Sequence, residues 1–234
     1  LQAVIDLVTG EPQAPHLVLG TGDLADAGAL SAYHRLREYF SPLSEHCFCL
    51  PGNHDDRRLM VDALGAFPWL AGEVRVADWQ LVLLDSQVPG QVGGTLGADE
   101  LARLDGCLQR AAEANLFTLV CLHHHPVLIG SDWLDQQVVT DRERFFQLLD
   151  AYPGVRGVLW GHVHQQIDRQ RNGVSLMASP STCVQFAPGS QRFRADTRAP
   201  GYRWLELHPD GRIVTGVRRV EGIAFEVDLE SDGY

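Results

Sequence analysis

Short apolar runs that end in polar loops recur along the chain. They comprise residues 16–19 (HLVL), 47–50 (CFCL), 117–122 (FTLVCL) and 155–160 (VRGVLW). Runs of this length, bounded by turn residues, are typical of buried strands. The pattern therefore predicts four strands, each followed by a loop that carries Asp, Asn or His.

Apolar residues with helical spacing separate these runs. Helices are predicted at the start of the chain (Leu1, Val4, Ile5 and Val8) and over residues 32–40, 57–64, 98–112 and 144–149. Residues 74–76 and 81–84 predict a hairpin, and residues 202–207 and 213–217 predict an antiparallel pair around a turn at 208–211. Alternating strands and helices indicate an α/β fold.

Composition agrees with one domain over residues 1–234. The chain has 45% hydrophobic and 21% charged residues, enough for an ordinary core. Its net charge of −11, with no basic run, argues against sustained binding to a nucleic-acid backbone. No stretch of eighteen apolar residues predicts membrane insertion. Five cysteines, mostly in apolar runs, suit buried thiols in a reducing cytoplasm, so we expect a soluble cytoplasmic protein.

The polar loops that follow the four strands are candidates for a metal site. In open α/β sheets, ligands bind at the carboxyl ends of strands, so these loops can converge. One carboxylate, one amide and several imidazoles, without cysteine, suit Mn, Fe, Zn or Co. Two such ions about 3.5–4 Å apart can clamp the oxygens of an in-line displacement at phosphorus. The candidate ligands are Asp23, Asn53, His124, His162 and His164.

The order of these motifs resembles a known family. Gly22-Asp23, Gly52-Asn53-His54-Asp55, His124-His125-Pro126 and Gly161-His162-Val163-His164 resemble the calcineurin-like metallophosphoesterases. Residues 83–88 (LLDSQV), 131–136 (SDWLDQ), 180–186 (PSTCVQF) and the final Gly233-Tyr234 are similar to the bacterial class III cyclic nucleotide phosphodiesterases within that family. The resemblance covers nearly the whole chain.

The resemblance implies a fold, cofactors and a reaction. The expected fold is a four-layer α/β/β/α sandwich of two mixed sheets. The expected cofactors are two divalent or mixed-valence metal ions, with Fe or Mn favoured and Zn or Co possible. The expected reaction is the hydrolysis of 3′,5′-cyclic AMP to 5′-AMP by a hydroxide that bridges the two ions.

The resemblance also implies roles for individual residues. Asp23 would bridge the ions, Asn53, His124 and His162 would complete the second site, and His164 would serve the first. His124 is chosen because the family's ligand lies two residues before the proline, which leaves His123 and His125 as neighbours. His54 would sit beside the phosphate and protonate the departing oxygen, supported by Asp26. Asn53, His54 and His164 would also contact the substrate.

One departure from the family concerns its first motif. The family begins with a strand that ends in Asp-x-His, and this chain has no such motif before Asp23. We therefore expect an N-terminal piece, including the first strand, to precede Leu1. Without that piece, the first metal site would keep only Asp23 and His164.

Several alternatives stay open at this point. The substrate could be another phosphodiester or a nucleotide, or the chain could be a non-catalytic scaffold that retains the fold. Trp133, Asp135 and Phe186 could line a nucleobase pocket, although Trp and Phe are more often core residues. Asp85 and Gln87 could support the ligands or simply form a turn.

Overall fold

The computed structural model describes residues 1–26 and 29–229, so the Gly233-Tyr234 motif lies outside the described part. Its helices are α1 (Gln2–Thr9), α2 (Leu30–Phe40), α3 (Arg57–Leu64), α4 (Gly97–Glu113), α5 (Asp132–Asp135) and α6 (Arg142–Asp150), with a 3-10 turn at Pro68–Leu70. Its strands are β1 (Val18–Thr21), β2 (Cys47–Leu50), β3 (Glu73–Val76), β4 (Trp79–Leu83), β5 (Phe117–Leu122), β6 (Val155–Trp160), β7 (Ile167–Arg171), β8 (Val174–Ala178), β9 (Gln185–Phe186), β10 (Ala195–Asp196), β11 (Gly201–Leu207) and β12 (Ile213–Arg219).

A six-stranded mixed sheet forms the centre of the fold, in the order β3-β4-β5-β6-β8-β7. Strands β4, β5, β6 and β8 run parallel, and β3 and β7 lie antiparallel at the edges. Helix α4 connects β4 to β5, and α6 precedes β6. Crossovers of this kind align the carboxyl ends of the parallel strands along one edge of the sheet.

Side chains of the central sheet alternate between two cores. In β5, Val120 and Leu122 belong to the core that contains residues of α4 and α6, such as Leu104 and Phe145. The intervening Cys121 belongs to a second core on the opposite face. This period of two is the expected geometry of a strand that is buried on both faces.

A second β layer covers that opposite face. It contains the parallel pair β1–β2 and the antiparallel pair β11–β12. Phe48 and Leu50 of β2 pack into the core between the two β layers. Cys47 and Cys49 face a third core with Tyr33 of α2 and other residues of α2 and α3.

Three cores therefore separate four layers, and the predicted metallophosphoesterase sandwich is confirmed. In the described residues the second β layer consists of two separate pairs, where the prediction was a mixed sheet that lacks its N-terminal strand. Across residues 1–26 and 29–229, no helix is both long and apolar enough to cross a membrane.

Candidate metal centre

The ends of four strands meet at one edge of the two β layers. Asp23 and Asn53 follow β1 and β2, while His123 and His162 follow β5 and β6. Glycine makes the close approach possible at Gly52, because a Cβ there would collide with the Asp23 carboxylate. The fold thus brings side chains distant in sequence into direct contact.

Three polar atoms surround the Nε2 atom of His123 at this edge. The Nε2 atom of His123 lies 3.1 Å from Oδ2 of Asp23 and 3.2 Å from Oδ1 of Asn53. The same atom lies 3.2 Å from Nδ1 of His162. All four atoms can offer a lone pair, and the two oxygens can only accept.

The outer nitrogens of both imidazoles are already committed as donors. Nδ1 of His123 donates to the backbone carbonyl of Thr21 (2.8 Å), and Nε2 of His162 donates to Oε1 of Gln137 (2.7 Å). Metal-binding histidines typically donate their other ring N–H in this way, which fixes the tautomer and directs a lone pair at the metal. A carboxylate, an amide oxygen and imidazoles lie together here, and the chemistry of this set fits a first-row metal.

Both ring nitrogens of His124 lie within hydrogen-bond distance of protein groups. Its Nδ1 lies 2.8 Å from Oγ of Ser86, and its Nε2 lies 3.0 Å from the backbone carbonyl of Val92. Since the carbonyl only accepts, Nε2 donates and Nδ1 accepts from the serine hydroxyl. Both nitrogens of a neutral ring are then engaged, although the ring lies within 4.8 Å of the ligand atoms of His123 and His162.

The ligand atoms of His123, His124 and His162 lie within 4.8 Å of one another, so the choice of His124 within the triplet stays a prediction. The side chains of the triplet alternate along β5. Cys121 faces the core between the β layers, and His123, two residues later, faces the same side, where the loops of β1 and β2 lie. His124 faces the opposite side with Leu122, where Ser86 follows β4.

His164 lies beside this cluster and stacks on an aromatic ring. Its imidazole is parallel to the ring of Phe186, with centroids 4.1 Å apart and an interplanar angle of 13°. Within the described part of the chain, its buried Nδ1 has no hydrogen-bond partner. An unpaired buried polar atom is costly, so this nitrogen fits a ligand from outside the protein.

Three of the candidate ligands have a left-handed backbone conformation. The φ angles are +52° for Asp23, +60° for His162 and +48° for His164. Residues other than glycine rarely adopt this conformation, and such residues cluster at functional sites. The local folding cost supports a role for these residues beyond packing.

His54 sits at the rim of the site. Its backbone N–H donates to Oδ1 of Asp23 (3.0 Å), which fixes the loop of β2 against the loop of β1. Its Nδ1 lies 3.5 Å from Oδ1 of Asp26, a carboxylate that is 95% exposed. The expected pairing of these two residues is therefore geometrically feasible, and their catalytic roles stay predictions.

Burial and the neighbouring rings keep most of these histidines neutral. Burial lowers the pKa of His164 to about 4, and it lowers the pKa of His162 well below its ordinary value. Burial raises the pKa of Asp23, but the adjacent His123 outweighs it, so the net pKa lies well below the usual range. Burial lowers the pKa of His123, but the adjacent Asp23 outweighs it, so the net pKa is raised. Metal binding requires neutral imidazoles and an ionised carboxylate, so His123 would release its proton on binding an ion.

Asp55 is a residue whose role the sequence did not reveal. Its buried carboxylate accepts hydrogen bonds from the backbone N–H groups of Leu24 and Ala25 after β1, and from that of Gly52 after β2. The hydroxyl of Tyr33 in α2 donates to it as well (3.0 Å). One side chain thus ties together the two loops that carry Asp23 and Asn53.

The aromatic residues considered for a nucleobase pocket pack mainly against one another. Trp133 contacts Phe186 and Phe193 edge to face, with centroids 5.1 and 5.4 Å away, and its Nε1 donates to Ser190. Asp135 of α5 accepts hydrogen bonds from the backbone N–H groups of Ile129 and Gly130, which precede that helix. Their part in base binding stays a prediction.

Comparison with known proteins identifies the class. A family model described as calcineurin-like phosphoesterase matches residues 1–166, and the chain belongs to this family. Members of the family use dinuclear metal centres. The resemblance found in the motifs is thereby confirmed.

Individual relatives narrow the comparison. The chain is 47% identical over 234 residues to the 3′,5′-cyclic adenosine monophosphate phosphodiesterase CpdA of Pseudomonas aeruginosa, covering 100% of this chain and 85% of that protein. It is 40% identical over 237 residues to the protein of the same name from Escherichia coli strain K12, with the same coverage. A dimetal phosphatase from Danio rerio has the same fold, with a TM-score of 0.62, 15% identity, and coverage of 93% of this chain and 86% of that one.

Proposed function

We propose that this protein hydrolyses 3′,5′-cyclic AMP to 5′-AMP at the edge where the four strands end. The observation that carries the proposal is the cluster of Asp23, Asn53 and His162 around Nε2 of His123. The identities of 47% and 40% to proteins named as cyclic AMP phosphodiesterases support the choice of substrate.

The side chains divide between two metal positions. Asn53, His123 and His162 hold one ion together with Asp23, and His164 serves the other ion with the same aspartate. We choose His123 for this ion because its Nε2 lies 3.1 Å from Asp23 and 3.2 Å from Asn53, and His124, the ligand that the family resemblance implies, is the alternative. We favour Mn or Fe, while Zn and Co suit the same donors.

The bound ions supply activation of water and neutralisation of the charge that develops on the phosphate. The protein's own residues orient the substrate and supply the proton that its departing oxygen takes up. Asn53, His54 and His164 contact the phosphate, and His54 donates a proton to the departing 3′ oxygen. The exposed carboxylate of Asp26, 3.5 Å from Nδ1 of His54, orients that ring.

We propose the cytoplasm as the site of action. Four of the five cysteines are buried as free thiols, and burial raises the pKa of Cys121 to about 12. Buried thiols of this kind suit a reducing compartment.

A rate comparison tests the proposed substrate. The protein is stripped with a chelator and reloaded with Mn, and rates are measured on cyclic AMP, cyclic GMP and an aryl phosphodiester. We expect cyclic AMP to be preferred and 5′-AMP to be the product. A faster rate on the aryl substrate than on either cyclic nucleotide contradicts the assignment of substrate, and no rate on any of them contradicts catalysis.

Paired variants assign the activity to the site. Asp23→Asn removes the proposed shared ligand, and we expect it to abolish turnover. Asp62→Asn makes the same change at an exposed position of α3 and should leave turnover unchanged.

A further inference from the structure

The side chain of Gln87 spans the loop that carries Asn53 and His54. Its amide nitrogen donates to the backbone carbonyl of Gly52 (2.7 Å) and to that of Asp55 (2.6 Å). These two carbonyls flank Asn53 and His54 on either side. A primary amide has two N–H groups, and both are used here.

Gln87 is itself held at both ends of its backbone. Its N–H donates to Oδ1 of Asp85 (2.9 Å), and its carbonyl accepts from Nη2 of Arg57 (2.8 Å). Arg57 also pairs with Asp85, at 2.6 Å, and it is the first residue of α3 after the Asn53 loop. The half-buried amide is therefore presented by a fixed backbone and contacts the loop from a defined direction.

The residue before Gln87 links the same segment to the His triplet. Oγ of Ser86 lies 2.8 Å from Nδ1 of His124 and accepts from the backbone N–H of His124 (3.2 Å). Residues 85–87, which follow β4, thus contact the loops of both β2 and β5. A shift of this segment would move groups on both sides of the metal centre.

We propose that Gln87 is a positioning residue that holds Asn53 and His54 in their working orientation through the carbonyls of Gly52 and Asp55. The expected effect of Gln87 on turnover rests on the proposed function. The expected effects of Gln87 on the loop and on metal affinity do not depend on the substrate. Gln87 acts through the backbone, because its amide donates to the carbonyls at both ends of the Asn53-His54 segment.

Two substitutions separate this role from simple packing. Gln87→Leu keeps a similar size and removes both donors. Gln87→Glu keeps the shape and places an oxygen against two carbonyl oxygens, which cannot bond to it. Gln91→Leu and Gln91→Glu make the same changes at an exposed glutamine four residues later and serve as matched controls.

The experiment measures amide exchange, metal affinity and steady-state kinetics on the full chain. For both Gln87 variants we expect faster hydrogen exchange at His54 and Asp55, roughly 10- to 100-fold weaker Mn binding, and a similar loss in kcat with little change in KM. The Gln91 variants should match the unsubstituted protein. Because exchange and metal binding need no substrate, they judge the role of Gln87 even if cyclic AMP is not hydrolysed.

A purely structural role gives a different pattern. In that case the melting temperature falls, while Mn affinity, kcat and the exchange of His54 and Asp55 at the assay temperature match the unsubstituted protein. That pattern overturns the inference. Wild-type kinetics from Gln87→Glu with intact metal binding does so as well.

Discussion

Replacing Asp55 by asparagine should loosen the tie between the loops that carry Asp23 and Asn53. The carboxylate accepts from backbone N–H groups of both loops, at 2.8 Å from the β2 side and 3.1 Å from the β1 side. An amide has only one acceptor oxygen, and its NH₂ group must then face N–H groups of one loop. At least one buried donor loses its partner.

The cost of Asp55→Asn follows from this geometry. A buried donor without a partner costs about 1–3 kcal/mol, and hydrogen bonds to a charged acceptor are each stronger than neutral ones by about 1 kcal/mol. We therefore expect the free energy of unfolding to fall by roughly 2–4 kcal/mol. For a chain of this size that corresponds to a melting temperature lower by roughly 5–15 °C.

Urea unfolding of the metal-free protein measures this difference, and Asp56→Asn is the matched control. Asp56 is exposed and caps α3 by accepting from the N–H groups of Arg58 and Leu59. Asparagine caps helices equally well, so this variant should stay within about 0.5 kcal/mol of the unsubstituted protein. An equal decrease in the free energy of unfolding in the two variants would refute the proposed role of Asp55 in linking the two loops.

Three further predictions concern the histidines. His123→Ala should weaken Mn binding by at least about 10- to 100-fold and by more than His124→Ala, as measured by calorimetry, because Nε2 of His123 lies against both Asp23 and Asn53. The reverse order would favour His124, the ligand that the family resemblance implies. His54→Ala should lower turnover by about 10²–10⁴-fold with metal content intact, and unchanged turnover would contradict its role. The stability of the metal-free protein in urea should rise with pH between about 4 and 6.5, because burial lowers the pKa of His125 and of His164 to about 4 while the unfolded rings bind protons below 6.5. The free energy of unfolding should rise by about 1.4 kcal/mol per pH unit for each ring. A free energy of unfolding that does not change over this pH range would contradict the neutral state of the two buried imidazoles.

Much of the fold was predictable because its strands are buried on both faces. Strands β2, β5 and β6 coincide with the predicted residues 47–50, 117–122 and 155–160, and helix α3 coincides with residues 57–64. Continuous apolar runs with polar ends carry a strong signal, because both faces of such a strand must be apolar.

Strand β7 was not predicted, and its composition explains why. Its sequence, IDRQR, is mostly polar, and the strand lies at an edge of the sheet with three exposed residues in its centre. Its Asp168 pairs with the buried Arg203 of β11, a contact that depends on residues 35 positions apart. Tertiary contacts of this range leave no periodic pattern in the sequence.

The meeting of the candidate loops was predictable from the sequence. Asp23, Asn53 and His162 lie together as the strand-end pattern predicts. The choice within the His triplet followed the spacing to the proline and stays a prediction, because the ligand atoms of His123 and His124 both lie within 4.8 Å of that of His162. The hydrogen bond that Gln137 accepts from Nε2 of His162 joins residues 25 positions apart, and it depends on tertiary structure alone.

Diffraction from crystals soaked in Mn²⁺, recorded at a wavelength where manganese scatters anomalously, tests the central claim most directly. We expect an anomalous peak about 2.0–2.2 Å from the facing atoms of Asp23, Asn53, His123 and His162. The absence of a peak at this position would contradict a metal centre at the strand ends. A peak bonded to His124 in place of His123 would contradict the ligand set proposed for it.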